Sequence, residues 1–179
     1  MTDVLLLTGA PGSGKTTVAT LVATDTTRPT VHVTTDEFFR AIRTGFVPPY
    51  LPGAEQQNVV VVDAIVAAVD VWARGGYDVV VDGIIGPWFL PPYLKAAAEG
   101  EWTMSYVVLR PDLGTTLDRA RQRAETELKN VEAITGLHGA FANLGELEPH
   151  ALDTTDLDAG QTAAEVRKAV ASGTHRLSA

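Results

Sequence analysis

Apolar residues in this chain follow two rhythms. Short apolar, β-branched runs at 4–8, 31–35, 77–83 and 103–109 predict buried strands. Longer stretches of mixed polarity predict helices at 14–24, 37–43, 55–74, 93–99, 113–128, 131–144 and 159–171. The 55–74 helix closes on Gly75-Gly76, although its Val59-Val60-Val61-Val62 run is β-prone. Residues 149–152 can make a fifth short strand. Pro48, Pro49 and Pro52 exclude regular structure from 45–53, and the apolar, proline-rich stretch 84–92 reads as a loop. Strands that alternate with helices predict an α/β fold around a parallel sheet, with ligands at the carboxyl ends of the strands. No repeat or linker interrupts the pattern, so 1–179 reads as one domain, with room for a small lid around 113–130.

The junction of the first strand and first helix carries the most specific signal. Gly9-Ala10-Pro11-Gly12-Ser13-Gly14-Lys15-Thr16 has the spacing G-x-x-x-x-G-K-[ST], with Thr17 continuing into the helix. Glycines allow a loop to wrap a phosphate with its N–H groups turned inward. The helix N-terminus adds positive potential. Lys15 is then placed for the β- and γ-phosphates, and the Thr16 hydroxyl for Mg²⁺.

Composition narrows the setting. The chain has 179 residues, 45% hydrophobic and 20% charged, as expected for a globular protein with a full core. Its net charge of −8 argues against general binding to nucleic acid or anionic membranes. With no cysteine, disulfides, thiolate catalysis and cysteine-bound zinc are excluded. The sequence enters its first strand directly and shows no uninterrupted apolar run of bilayer length. A cytoplasmic protein is the expectation.

Two carboxylates end strands beside the loop. Asp82 closes Val79-Val80-Val81 and is a candidate for holding Mg²⁺ or contacting substrate, or else for capping the next turn. Asp36, in Thr34-Thr35-Asp36-Glu37-Phe38-Phe39-Arg40, is a candidate base for an attacking hydroxyl; as a helix N-cap it would be structural. Arg40 lies one turn further on and could hold substrate or stay at the surface. Arg119 and Arg123 share a helical face and could clamp phosphates, or pair with Asp118, Glu125 and Glu127. Arg121 lies off that face, and Arg110 could approach the base or simply end a strand. Trp88, Phe89, Pro91, Pro92 and Tyr93, with Phe38, Phe39, Phe46 and Tyr50, could wall an organic substrate or fill the core. His32, His138, His150 and His175 have no metal-ligand spacing and read as structural.

Taken together, these motifs resemble the P-loop kinase group that includes chloramphenicol phosphotransferase, shikimate and gluconate kinases, zeta-toxin-like kinases and polynucleotide 5′-kinases. The resemblance implies a three-layer P-loop NTPase fold with strand order 2-3-1-4-5. It also implies ATP and Mg²⁺ as cofactors and γ-phosphoryl transfer to a hydroxyl. By position, Asp36 matches the base after strand two, Asp82-Gly83 the third-strand motif, Arg119 and Arg123 the lid, and 149–155 the segment beside adenine. A small-molecule O-phosphotransferase is the expected activity, with an antibiotic among the candidate acceptors, as a monomer or homodimer. The alternatives are a nucleotide, nucleoside or polynucleotide kinase and a nucleotide-gated regulatory ATPase.

Overall fold

The computed structural model describes residues 2–122 and 128–177. Arg123, Glu125 and Glu127 therefore lie outside the described residues, as does the 123–127 part of the predicted 113–128 helix.

Each predicted strand forms. β1 (Asp3–Thr8) is central and pairs in parallel with β3 (Asp78–Gly83) and β4 (Thr103–Leu109). β2 (Thr30–Thr34) lies beyond β3, and the two-residue β5 (Ala151–Leu152) beyond β4. The order β2-β3-β1-β4-β5 is the expected one. A further short strand, β6 (Arg176–Leu177), was not foreseen and runs antiparallel against Met104 and Ser105. Two residues are too few for a periodicity to show, so tertiary pairing alone defines it.

Strand alternation divides the core in two. Val4, Leu6, Val79, Val81, Met104, Tyr106 and Val108 face one side. Leu5, Leu7, Val80, Val107 and Leu109 face the other. Helices α3 (Glu55–Arg74) and α4 (Leu90–Gly100) cover the first side, while α1 (Lys15–Thr24) and α7 (Ala159–Ser172) cover the second. This is a helix–sheet–helix sandwich. By length and composition alone, α3 could cross a membrane. Here its Val61, Val62, Ile65, Val66, Val69 and Ala73 pack into the core. The β-prone valines stay helical because the adjacent Val61 and Val62 belong to that buried stripe; Val59 and Val60 remain exposed.

Several boundaries moved. Helix α2 spans Thr35–Arg40, so Thr34 occupies the N-cap position and Asp36 sits within the first turn. The proline-rich 84–92 stretch is partly helical: a 3₁₀ turn at Pro87–Phe89 leads into α4, whose first turn holds Pro91 and Pro92. Proline is tolerated there because first-turn N–H groups have no helical acceptor. α5 (Leu113–Arg121) starts at an Asp112 cap, and α6 (Val131–Ala140) is shorter than predicted. A 3₁₀ segment, Gly145–His150, takes up Pro149 and His150, so the predicted strand 149–152 is reduced to its last two residues.

Candidate nucleotide and acceptor site

The glycine loop joins β1 to α1. Gly12 has φ 94°, and a Cβ on it would lie 2.3 Å from the Thr116 carbonyl oxygen, so α5 closes tightly on the loop. Gly14, at φ 88°, starts α1, and a Cβ on it would meet nothing within 4 Å. The loop is therefore packed from behind and open in front. In front lies a cleft of about 300 Å³ bounded by Gly12, Ser13, Gly14, Lys15, Thr16 and Thr17 on one side and by Arg119 and residues 157–159 on the other. First-turn amides of a helix lack internal acceptors and favour an anion. Ser13 is buried, and its Oγ has no partner among the described residues. Lys15 is 8% exposed, with Nζ 3.5 Å from the Ala10 carbonyl. An unpartnered hydroxyl, an open amide cradle and a largely buried lysine fit a polyphosphate.

Behind the lysine, β3 delivers Asp82, which is buried. Its Oδ1 accepts from Thr16 Oγ1 at 2.8 Å, and its Oδ2 from His32 Nε2 at 2.6 Å and Thr34 Oγ1 at 3.1 Å. Burial pushes this carboxyl up, but hydrogen bonds from His32 and Thr16 and the charges of His32 and Lys15 outweigh it and hold Asp82 below the usual carboxylate range. The group is therefore an anion placed beside the Thr16 hydroxyl, which suits a divalent cation. No group of three or more His, Asp or Glu arranged to hold a metal ion occurs among the described residues.

Arg119 borders the cleft and ties α5 to the segment across it. Its Nη2 donates to the carbonyls of Leu157 at 3.0 Å, Thr154 at 3.2 Å and Thr155 at 3.5 Å. Thr154 and Thr155 belong to the stretch read as skirting the base, and Leu157 lies two residues beyond it. Arg121 is exposed and pairs with Asp118 at 2.7 Å. Arg110 pairs with Glu148 and donates to the Phe141 carbonyl at 3.2 Å, which ties β4 to the segment after α6.

A second cavity, of about 750 Å³, opens on the other side of Lys15 and Pro11. Asp36, Arg40 and Trp88 all line it. Phe39, Phe46, Tyr50 and Phe89 supply apolar wall, whereas Phe38 packs against the core and Tyr93 lies within it. Asp36 reaches the cavity because α2 starts directly over the end of β3. A Cβ on Gly83 would overlap the Thr35 side chain, so only glycine permits that approach. Arg40 also pairs with Glu37 at 2.6 Å. Asp82 lines neither cavity and meets the site through Thr16.

Sequence reasoning missed His32 as part of the site. The available signal was its register: His32 and Thr34 share a strand face, and Thr34 lies opposite Asp82. The other histidines are held structurally, His138 at the Pro111 carbonyl (2.9 Å) and His150 at the Tyr106 carbonyl (3.0 Å).

A strand, a glycine loop opening a helix, and an acidic residue at the end of the neighbouring strand define a P-loop protein of the kinase type. Residues 4–142 match the family model described as AAA domain, and the chain belongs to this P-loop kinase family. Its fold is similar to that of the Deinococcus radiodurans tunicamycin resistance protein, at 18% identity and a TM-score of 0.69, covering 95% of this chain and 96% of that one. It is also similar to Mycobacterium tuberculosis APS kinase in complex with AMPPNP and APS, at 18% identity and a TM-score of 0.70, covering 95% and 98%. A gluconokinase from Sinorhizobium meliloti 1021 matches at 16% identity and a TM-score of 0.68, over 95% and 92%. At such identities the likeness is one of fold. No curated protein matches the chain.

Proposed function

We propose that this protein is an ATP-dependent kinase that transfers the γ-phosphoryl group to a hydroxyl of a small organic molecule with a large apolar surface. One observation carries the reading: Lys15 lines both cavities, so the phosphate cleft and the apolar cavity meet at the residue suited to the transferring group. Structural relatives that include sugar, gluconate and APS kinases agree with a kinase. Bound ATP with Mg²⁺ would supply an activated phosphoryl group. The loop amides, with Ser13 and Lys15, hold the phosphate chain. Thr16 and Asp82 are the pair that would hold Mg²⁺. Arg119 keeps the far wall of the cleft in place and offers positive charge toward the phosphates. In the second cavity Asp36 takes the proton from the acceptor hydroxyl, while Arg40 and Trp88 orient the molecule. Catalysis is then chiefly positioning and charge stabilisation.

The size and walls of the second cavity favour a drug-sized acceptor, which includes antibiotics, over a simple sugar. The net charge of −8 disfavours a polynucleotide, which calls for cations along its backbone. An acceptor panel read by ADP release tests this. Apolar hydroxyl compounds should turn over, and Asp36→Asn should lower kcat about 10²- to 10⁴-fold with little change in ATP affinity. Turnover only with nucleotides or 5′-hydroxyl ends would overturn the acceptor assignment. An unchanged kcat in the variant would remove the base.

A further inference from the structure

We infer that His32 is a positioning residue for the metal-holding carboxylate: it grips one oxygen of Asp82 so that the other stays turned toward Thr16. The inference rests on reading Thr16 and Asp82 as the magnesium pair.

The two oxygens of Asp82 are used differently. Oδ2 receives both donors from β2, His32 Nε2 at 2.6 Å and Thr34 Oγ1 at 3.1 Å. Oδ1 receives Thr16 Oγ1, at 2.8 Å. Aspartate χ2 is a broad torsion, so an ungripped carboxylate would swing between orientations. Two donors on one oxygen remove that freedom before any ligand arrives.

Geometry makes this arrangement specific. Thr34 lies opposite Asp82 in the parallel β2–β3 register, and His32 lies two residues earlier on the same face. Val31 and Val33 face the other side and pack into the core with α3. Packing alone does not call for an imidazole at position 32, because the ring is part-exposed, its side chain 23% accessible, and among the described residues its hydrogen-bond partner is Asp82. His32 lines neither the phosphate cleft nor the acceptor cavity, so any effect on a ligand must pass through Asp82. An Nε2–H that bonds a ligating carboxylate is the kind of support that tunes metal sites.

The test compares the wild type with His32→Ala, His32→Gln and His32→Asn. Calorimetry measures affinity for a non-hydrolysable ATP analogue with and without Mg²⁺, and kinetics measure the half-saturating Mg²⁺ concentration and kcat. His32→Ala should raise half-saturating Mg²⁺ about tenfold or more and remove much of the Mg²⁺-dependent gain in affinity. Affinity for the metal-free analogue should stay at the wild-type value, and kcat at saturating Mg²⁺ should largely recover. Glutamine carries an N–H at similar reach and should return the Mg²⁺ dependence to within about threefold of wild type. Asparagine is too short and should behave like alanine.

Unchanged Mg²⁺ dependence in His32→Ala would overturn the role. So would an equal loss of affinity with and without the metal, which indicates general damage to the fold. If the alanine variant does not melt cooperatively, the Gln and Asn pair decides, and equal Mg²⁺ dependence in those two overturns the inference. A wild-type protein that binds no nucleotide under either condition would instead remove the kinase reading beneath it.

Discussion

A single methyl group tests the phosphate loop. Gly12 combines φ 94° with a carbonyl 2.3 Å from where a Cβ would sit. Gly12→Ala must therefore strain the loop or push α5 away, at a cost of about 2 kcal/mol or more, read as a lower midpoint in urea denaturation. Nucleotide affinity should fall with it, since α5 carries Arg119. The same scale explains what was readable in the chain. Gly9 to Thr16 announce a phosphate loop by spacing because the ligand is held by consecutive backbone groups. Asp36 and Asp82 were also visible as strand-end carboxylates. His32 was not, because its partner stands fifty residues away and only strand pairing brings them within 2.6 Å.

Helix α3 shows how an element is specified by one face. Ile65 is 1% exposed and Val71 69%. Ile65→Ala should cost about 2–5 kcal/mol through lost burial and an unfilled cavity, lowering the urea midpoint. Val71→Ser should change stability by no more than about 0.5 kcal/mol. A comparable loss from both would mean that the exposed face of α3 is also packed in solution. Asp36 illustrates the limits of local reading at this scale. Its sequence suits an N-cap, yet α2 begins at Thr35 because the missing Cβ of Gly83 lets the helix sit over the end of β3. That places Asp36 in the first turn and on the rim of the acceptor cavity.

At the scale of the molecule, the acid response involves groups far apart in sequence. His175, buried at the start of β6 with its Nε2 unpartnered, has its pKa pushed below 6.5 by burial and by His150. A histidine depressed in the folded state leaves stability intact above its unfolded pKa of about 6.5, and stability is lost as pH falls from there through the folded value. Asp82 is a depressed carboxyl, so its contribution is present above the unfolded value of 3.8 and disappears as pH falls through the lower folded one. Melting temperature should therefore decline in two stages, a first below about pH 6.5 and a second in the carboxylate range. His175→Gln should flatten the first stage and leave the second, as seen in thermal melts across pH 2 to 8. A first stage unchanged in that variant would assign it to another group.

Local sequence alone determined the alternation of strands and helices, the two-sided apolar pattern of β1, β3 and β4, and the glycine loop, because each depends on residues close in the chain. The tertiary structure decided which strands lie side by side. It thereby decided that Thr16, His32, Thr34 and Asp82 form one hydrogen-bonded group and that Lys15 stands between two cavities. The physical reason is that a parallel strand finds its neighbour through a long crossover, so the pairing is set by burial across the whole sheet rather than by the residues that come to meet.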